Sequence, residues 1–463
     1  MAFSSLVFLS LFLPATLAVY FLFRGPAMRN AVLLIVSLLF YSWGEPRYVV
    51  LIIVSIIMNW GIALLLARHT SWRRSLLTLG VGANIVGIGV FKYAGFLIEN
   101  LNQFFSVNLQ APNISLPIGI SFYTFQAISY LVDVYRGQIV AQKNPLFFGA
   151  YLALFAKLIA GPIVRYKQIE TEIVSRRENL EDFIQGLRRF AIGFGKKVLI
   201  ADTMGSIADK ILSTDPYVGA IPAWVGFTAY TFQIYFDFSG YSDMAIGIGR
   251  MFGFHFLENF NYPYVARSVT EFWRRWHISL SSFFRDYIYI PLGGNRISRG
   301  RWVINLTVVW GITGLWHGAS WNFVLWGLYY GVLVVCEKLF LRSWMDKAPR
   351  IIQHAFVIFS FIIGWVIFRI EDFSLIGGWL GSMFGIHGWG HPMTLNALNI
   401  LHKYPWFIIA AIGSTPVIGN FIKDVRRTPL GSLFVDLWIG AILFWSVLEI
   451  ALGSFNPFIY FQF

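Results

Sequence analysis

Of the eight histidines, His69, His255, His277, His317, His354, His387, His391 and His402, only His277 and His317 stand among tryptophans and arginines. Both lie in the stretch from Glu271 to Asn322, EFWRRWHISLSSFFRDYIYIPLGGNRISRGRWVINLTVVWGITGLWHGASWN. An imidazole exchanges protons near neutral pH, so in a site it suits general-base work on a hydroxyl. Between Val265 and Trp302 seven arginines (Arg267, Arg274, Arg275, Arg285, Arg296, Arg299, Arg301) face only Glu271 and Asp286, a net charge of +5. Guanidinium forks match phosphate oxygens, so this cluster suits a phosphate-bearing cytosolic donor. The alternative is that the arginines only mark the cytoplasmic side of a membrane. The sequence has no Cys/His cluster and no H-E-x-x-H pattern, so no metal site is expected. Gly293-Gly294 reads as a tight turn rather than a nucleotide loop.

The elements that must carry these residues follow from periodicity. A helix running on from Glu271 puts Trp273, Trp276, His277, Leu280, Phe284 and Tyr287 on one side. Arg274, Arg275, Ser281, Ser282 and Arg285 fall on the other, a pattern suited to a membrane surface. An apolar run from Trp302 to Trp316 then ends in His317-Gly318-Ala319-Ser320. From Arg301 to His317 is about 24 Å of helix at ~1.5 Å per residue, short of the ~30 Å hydrocarbon core. A second run, Trp321 to Cys336, returns to Glu337 and Lys338. A break at that depth is tolerated only inside protein or beside a water-filled cavity, which makes His317 a functional candidate. The alternative is a histidine at an interfacial loop, bonded to water.

Composition sets the class. The chain has 463 residues, mean hydropathy +0.63, 57% hydrophobic residues and 13% charged ones. A soluble surface of this size needs far more charge. The expectation is an all-α polytopic membrane protein, one domain over residues 1–463, with about eleven or twelve membrane elements by the span rule. The net charge of +13 then reports cytoplasmic loops and anionic lipids or substrates, not nucleic acid. Cys336, the lone cysteine, excludes an internal disulfide. Phe3–Phe23 reads as an uncleaved helix. Basic residues after the first and third apolar runs place those loops in the cytoplasm and the N-terminus outside. Phe147–Ala160 is short and carries Lys157 before Gly161-Pro162, which suggests a re-entrant or tilted element. Lys157 is expected to snorkel rather than to bind substrate, and Lys196 and Lys197 have the same route to the surface open to them; Asp237 and Asp243 are expected to be structural partners of Arg or Tyr, the alternative being catalytic acids. Later spans are expected at Ile351–Phe368, Phe373–Phe384, Trp406–Phe421 and Leu433–Leu452. The Asn113-Ile114-Ser115 glycosylation match is too short to carry weight, and no internal repeat is visible.

Two segments, Phe272-Trp273-x-Arg275-Trp276-His277-x-Ser279 and Leu315-Trp316-His317-Gly318-Ala319, resemble the signature histidine segments of the membrane-bound O-acyltransferase family. Phe283-x-Arg285-Asp286-Tyr287-Ile288-Tyr289-Ile290-Pro291-Leu292-Gly293-Gly294-Asn295-Arg296 is similar to its bacterial alginate O-acetyltransferase branch. So are Gln233 to Asp243 and the closing Asn456-Pro457-Phe458-Ile459-Tyr460. The resemblance implies a helical membrane fold with a thin centre, where a cytoplasmic and an outer funnel meet near the signature histidine. It implies acetyl-CoA as donor with no bound cofactor. The acetyl group crosses the bacterial inner membrane to an extracytoplasmic partner of the SGNH-hydrolase type, which acetylates a polysaccharide. Carried onto this sequence, His317 is the catalytic histidine and His277 the second signature residue. Arg275, Arg285, Trp276, Trp316 and Asn322 are the candidate substrate-binding residues around them. His277 alternatively only orients its helix. Two other functions stay open: D-alanyl transfer from a carrier protein to teichoic acid, and a non-catalytic exporter. An exporter would show paired carboxylates or inverted repeats along a path, and the sequence shows neither.

Overall fold

The structure, a computed structural model, describes residues 3–112, 114–390, 400–453 and 458–459. Asn113, His391 and, in the closing motif, Asn456, Pro457 and Tyr460 lie outside the described residues. Every regular element among the described residues is a helix. The chain divides into two units, Met1–Phe190 with Tyr241–Leu257, and Ala191–Gly240 with Glu258–Phe463.

The first unit holds α1 (Phe8–Leu22), α2 (Pro26–Gly44), α3 (Val49–Arg68), α4 (Arg73–Phe105) and α5 (Ile120–Tyr135). In lipid the backbone must satisfy its own hydrogen bonds, so long apolar runs fold as helices. Their outward faces keep Leu22, Ile35, Leu39 and Ile57 exposed, as a lipid-facing surface requires. Polar side chains turn inward and pair. Asn84 on α4 donates to Asn59 Oδ1 on α3 at 2.7 Å, and Asn30 on α2 donates to the Ile173 carbonyl at 2.7 Å.

Next come α6 (Pro145–Ala153), a break at Leu154, and a single turn, Phe155–Leu158. The break falls inside the segment expected to be re-entrant or tilted. Lys157 does not snorkel. It is 0% exposed, its ammonium lies 4.4 Å over the Tyr151 ring, and it donates to Gln126 Oε1. Snorkelling needs an open route to the surface, and the segment around Lys157 is buried throughout. Two amphipathic helices, α7 (Tyr166–Ser175) and α8 (Leu180–Gly195), follow.

A clip closes this unit beyond its spanning helices. His255 Nδ1 meets Glu172 of α7 at 2.8 Å and Nε2 meets Asp182 of α8 at 3.3 Å. Burial opposes protonation of His255, but the bonds and charges of the two carboxylates win and raise its pKa above 6.5. The linkage sign follows: the clip's stabilisation is full below the unfolded value and is lost as pH rises through the raised folded value. The ring is partly exposed, so the effect is small. The wild type should lose a few degrees of melting temperature across that window, and His255→Gln should flatten the dependence. Equal pH dependence in both proteins would remove the clip's role.

The second unit holds α9 (Asp202–Leu212), α10 (Ala220–Met251, which passes into the first unit), α11 (Val269–Arg275), α12 (Ile278–Phe284), α13 (Arg299–His317) and α14 (Trp321–Cys336). It ends with α15 (Arg350–Arg369), α16 (Phe373–Met383), α17 (Tyr404–Gly413), α18 (Val417–Val425) and α19 (Pro429–Ala451). Lys197, expected at the surface, is 3% exposed. Its ammonium bridges Asp202 at 2.7 Å and Asp237 of α10 at 2.9 Å. The partner of Asp237 is therefore a lysine rather than Arg or Tyr. Its other oxygen accepts the Ile459 N–H at 2.7 Å. In the first unit Asp243 pairs with Arg189 at 2.6 Å.

Six helices among the described residues are long and apolar enough to cross a bilayer, or up to seven if the bent pair α17–α18 is one span. The larger sequence count took every apolar run as a membrane element. Phe373–Phe384, expected as a span, forms an 11-residue helix of about 16 Å, too short to cross. Trp406–Phe421, expected as one span, bends by 70° between α17 and α18.

Candidate active site

The helix expected to run on through His277 is broken there. α11 ends at Arg275, α12 begins at Ile278, and His277 sits between them at φ 44°. Few residues other than glycine adopt this left-handed conformation. Asn259 compensates the break. Its carbonyl accepts the Ile278 N–H at 2.9 Å, and its Oδ1 accepts from the Ser279 N–H at 3.1 Å and the Ser279 hydroxyl at 2.8 Å. The first donors of α12, which a continuous helix would bond to the preceding turn, are thus met from a loop. α11 is capped as firmly. Ser268 Oγ accepts the Glu271 N–H at 3.0 Å, and the buried Glu337 carboxylate accepts the Val269 N–H at 2.6 Å. A carboxylate at a helix N-terminus meets both its free N–H groups and its dipole.

The sequence pattern keeps its sidedness across the break. Trp273, Trp276, His277, Leu280 and Phe284 are buried, while Arg274 and Arg285 are exposed. His277 is 1% exposed. Its Nδ1 lies 3.1 Å from Asn259 Oδ1, and Phe238 of α10 stands edge-on to its ring at 4.7 Å.

His317 is the last residue of α13, a helix of 19 residues and so about 28 Å long. Arg299 and Arg301 stand at its other end. The hairpin α13–α14 closes through glycines: a Cβ on Gly314 would sit 2.2 Å from the Phe323 carbonyl, and one on Gly327 2.3 Å from the Trp310 carbonyl. The space beside Gly314 is therefore filled by neighbouring backbone. His317 is 6% exposed. The rings of Trp326, Trp316 and Phe368 stand roughly perpendicular to its imidazole at 4.8, 4.9 and 5.4 Å.

The fold brings both histidines to one tryptophan. Trp316 lies 6.0 Å from His277 and 4.9 Å from His317, centroid to centroid. Trp276 joins the same cluster through Trp365 at 5.0 Å, which in turn stacks on Trp326 at 6.4 Å. Asn322 is fully buried and donates to the Phe368 carbonyl at 3.2 Å. It ties α14 to the end of α15, whose Phe368 faces His317. Arg275 is held by Glu271 at 2.8 Å and by the Asn261 carbonyl at 3.0 Å. Burial raises the Glu271 carboxyl, but the Arg267 N–H and Arg275 outweigh it and leave the pKa below its ordinary value. Arg285 pairs with Asp286 at 2.7 Å and stays 62% exposed. Arg267, Arg274, Arg296, Arg299 and Arg301 are exposed as well. Neither Arg275 nor Arg285 makes a described contact with either histidine.

Asn259 and Glu337 were not singled out from the sequence. Ser268 and Glu271, three apart ahead of an apolar run, do form a helix-start pattern. Nothing local marks Asn259, which reaches His277 from 18 residues upstream. Among the described residues no group of three or more His, Cys, Asp or Glu is arranged to hold a metal ion. The arrangement offers two buried imidazoles in an aromatic enclosure and an exposed arginine cluster on the elements around it. Proton transfer to or from a bound substrate is within its reach.

Residues 138–371 match the model of the membrane-bound O-acyltransferase family. The chain is 39% identical to a protein of Pseudomonas putida named probable alginate O-acetylase, across the full length of both. It is 35% identical to the peptidoglycan O-acetyltransferase of Helicobacter pylori, over 83% of this chain and 80% of that one. It is also 28% identical to the teichoic acid D-alanyltransferase of Bacillus subtilis, over 53% of this chain and 68% of that one.

Proposed function

Because the chain belongs to the membrane-bound O-acyltransferase family, we propose that it takes an acetyl group from cytosolic acetyl-CoA and passes it across the inner membrane of a bacterium. The acetyl group goes on to O-acetylate an extracytoplasmic polysaccharide, through a partner of the SGNH-hydrolase type. The observation that carries this reading is the placing of His317. A long helix begins at exposed arginines and ends on a buried imidazole enclosed by three aromatic rings. Acyltransferase activity follows from the family; donor, polymer and partner are our reading. The polysaccharide assignment rests on the full-length likeness to a protein named as an alginate O-acetylase.

In the reaction the acceptor oxygen attacks the thioester carbonyl carbon. A bond from carbon to that oxygen forms, and the carbon–sulfur bond breaks. His317 takes the hydroxyl proton, and the leaving sulfur regains a proton as the CoA thiol. The three rings around His317 limit the access of water to the acyl group. Trp276, Trp316 and His277 line this space, and the whole chain serves as one acyltransferase domain. The CoA phosphates meet the exposed arginines. Arg275, already satisfied by Glu271 and Asn261, is a weaker candidate for that contact than Arg285.

Purified chain in lipid nanodiscs, offered acetyl-CoA or a D-alanyl carrier protein, tests the donor. CoA thiol release from acetyl-CoA alone is expected; turnover only with the aminoacyl carrier protein would replace this reading by the D-alanyl one. Arg285→Ala should raise the acetyl-CoA concentration for half-maximal rate roughly tenfold, the loss of one charge-assisted contact. If no arginine of the cluster changes that concentration when replaced, the cluster serves orientation in the membrane only.

A further inference from the structure

We propose that Asn259 is a positioning residue that fixes His277 in the Nδ1-protonated form, leaving Nε2 as the acceptor for an N–H or O–H of the substrate. This rests on the acyl-transfer reading above. The Ser279 N–H can only donate, and it points at the Asn259 side chain at 3.1 Å. The atom it meets is therefore the amide oxygen, not the nitrogen. The Ser279 hydroxyl reaches the same oxygen at 2.8 Å. His277 Nδ1 lies 3.1 Å from that oxygen too. A bare Nδ1 would set lone pair against lone pair, so Nδ1 carries the proton. A neutral imidazole carries only one, so the lone pair is on Nε2.

Nε2 is buried and has no hydrogen-bond partner among the described residues. A buried acceptor left in that state calls for an explanation, and a site awaiting a donor supplies one. The strained φ of 44° points the same way, because such conformations persist where the surroundings over-determine them. Asn259 does so, accepting from the Ile278 N–H with its carbonyl and from Ser279 with its side chain. The elements packed on the ring present Phe238, Asn259, Ser279 and Trp316, none of which titrates. His317 lies beyond Trp316. Of the charged groups on these elements, Glu271 pairs with Arg275, and Asp237, next to Phe238, pairs with Lys197; Arg274, three residues before His277, and Glu258, next to Asn259, are exposed. Two substrate groups fit Nε2: an amide N–H of the donor's pantetheine arm, or the hydroxyl of the acceptor.

The test uses the full chain in nanodiscs with histidine nitrogens labelled with ¹⁵N. The difference between wild type and His277→Gln isolates the His277 signals. Protonated Nδ1 and bare Nε2 are expected; protonated Nε2 at neutral pH overturns the proposal. This arm needs no turnover, so it stands apart from any failure of the acyl-transfer reading. Asn259→Asp keeps the size and the acceptor oxygen but adds a charge that favours imidazolium. It should move His277 titration, and with it the acid limb of the acyl-transfer profile, upward by about 1–3 pH units. A merely structural Asn259 would leave both limbs in place, and that result also overturns the proposal. Asn259→Ala should cost at least tenfold in turnover or affinity. A raised half-saturating acetyl-CoA concentration assigns the partner to the donor's amide, and a fall in kcat alone assigns it to the hydroxyl. Wild-type values for both, with the protein folded, contradict the assignment. Should Asn259→Ala fail to fold, the spectrum and the Asn259→Asp profile decide.

Discussion

His317→Ala is expected to lower acyl transfer by at least the ~10²–10⁴-fold that a positioned general base contributes, in protein that still folds and inserts. The ring is 6% exposed, and its neighbours across the site are rings. Removing it opens a hole at the end of α13 but leaves the glycine-mediated closure of α13 on α14 intact, since that is made by Gly314, Gly318 and Gly327. Membrane abundance and melting temperature should therefore stay near wild type while turnover collapses. His277→Ala should cost less than His317→Ala, because in the proposed reaction His277 accepts a hydrogen bond where His317 moves a proton. Acyl transfer by both variants at matched abundance is the measurement. Near-normal turnover of His317→Ala would refute its role, and a larger loss at His277 would exchange the two assignments.

Lys197→Met is expected to produce the largest loss of stability. The side chain is 4% exposed and Asp237 2%. With the ammonium gone, Asp202 and Asp237 face each other without a counter-charge. Removing one partner of a buried pair costs about 3–5 kcal/mol. A well-packed double replacement, Lys197→Met with Asp237→Asn, should recover part of that loss, because no uncompensated charge then remains at Asp237. The damage should also reach the site: Phe238, the next residue along α10, stands edge-on to His277. Thermal unfolding of the single and double variants gives the coupling. Lys197→Met as stable as wild type would show that the pair does not hold α10 in place.

The membrane class, the sidedness of the Trp273–Phe284 face and the end of α13 at His317 were legible because each is a local pattern. Hydropathy sets the first, periodicity the second, and the Trp-His-Gly stop the third. What was not legible is long-range. At His277 the helix breaks and the freed donors of α12 bond to the distant Asn259, a long-range arrangement that periodicity alone does not show. Lys157 and Lys197 read as snorkelling residues because sequence shows an apolar run and not what surrounds it. The burial that closes their route to the surface is tertiary. The bend at Trp406–Phe421 was hidden in the same way, since an apolar run does not reveal a 70° break. The arginines around His277 and His317 read as one cluster in sequence, yet Arg275 is committed to Glu271 while Arg285 stays exposed.

Passage of an acyl group across the membrane from a cytosolic thioester, through His317, is the central claim. Proteoliposomes with the arginine cluster facing outward test it most directly. Acetyl-CoA carrying a labelled acetyl group is supplied outside, and the SGNH-type partner with its glycan is sealed inside. The account predicts CoA thiol outside, labelled glycan inside, and neither with His317→Ala. Label retained outside as free acetate, or label inside that is indifferent to His317→Ala, would contradict it.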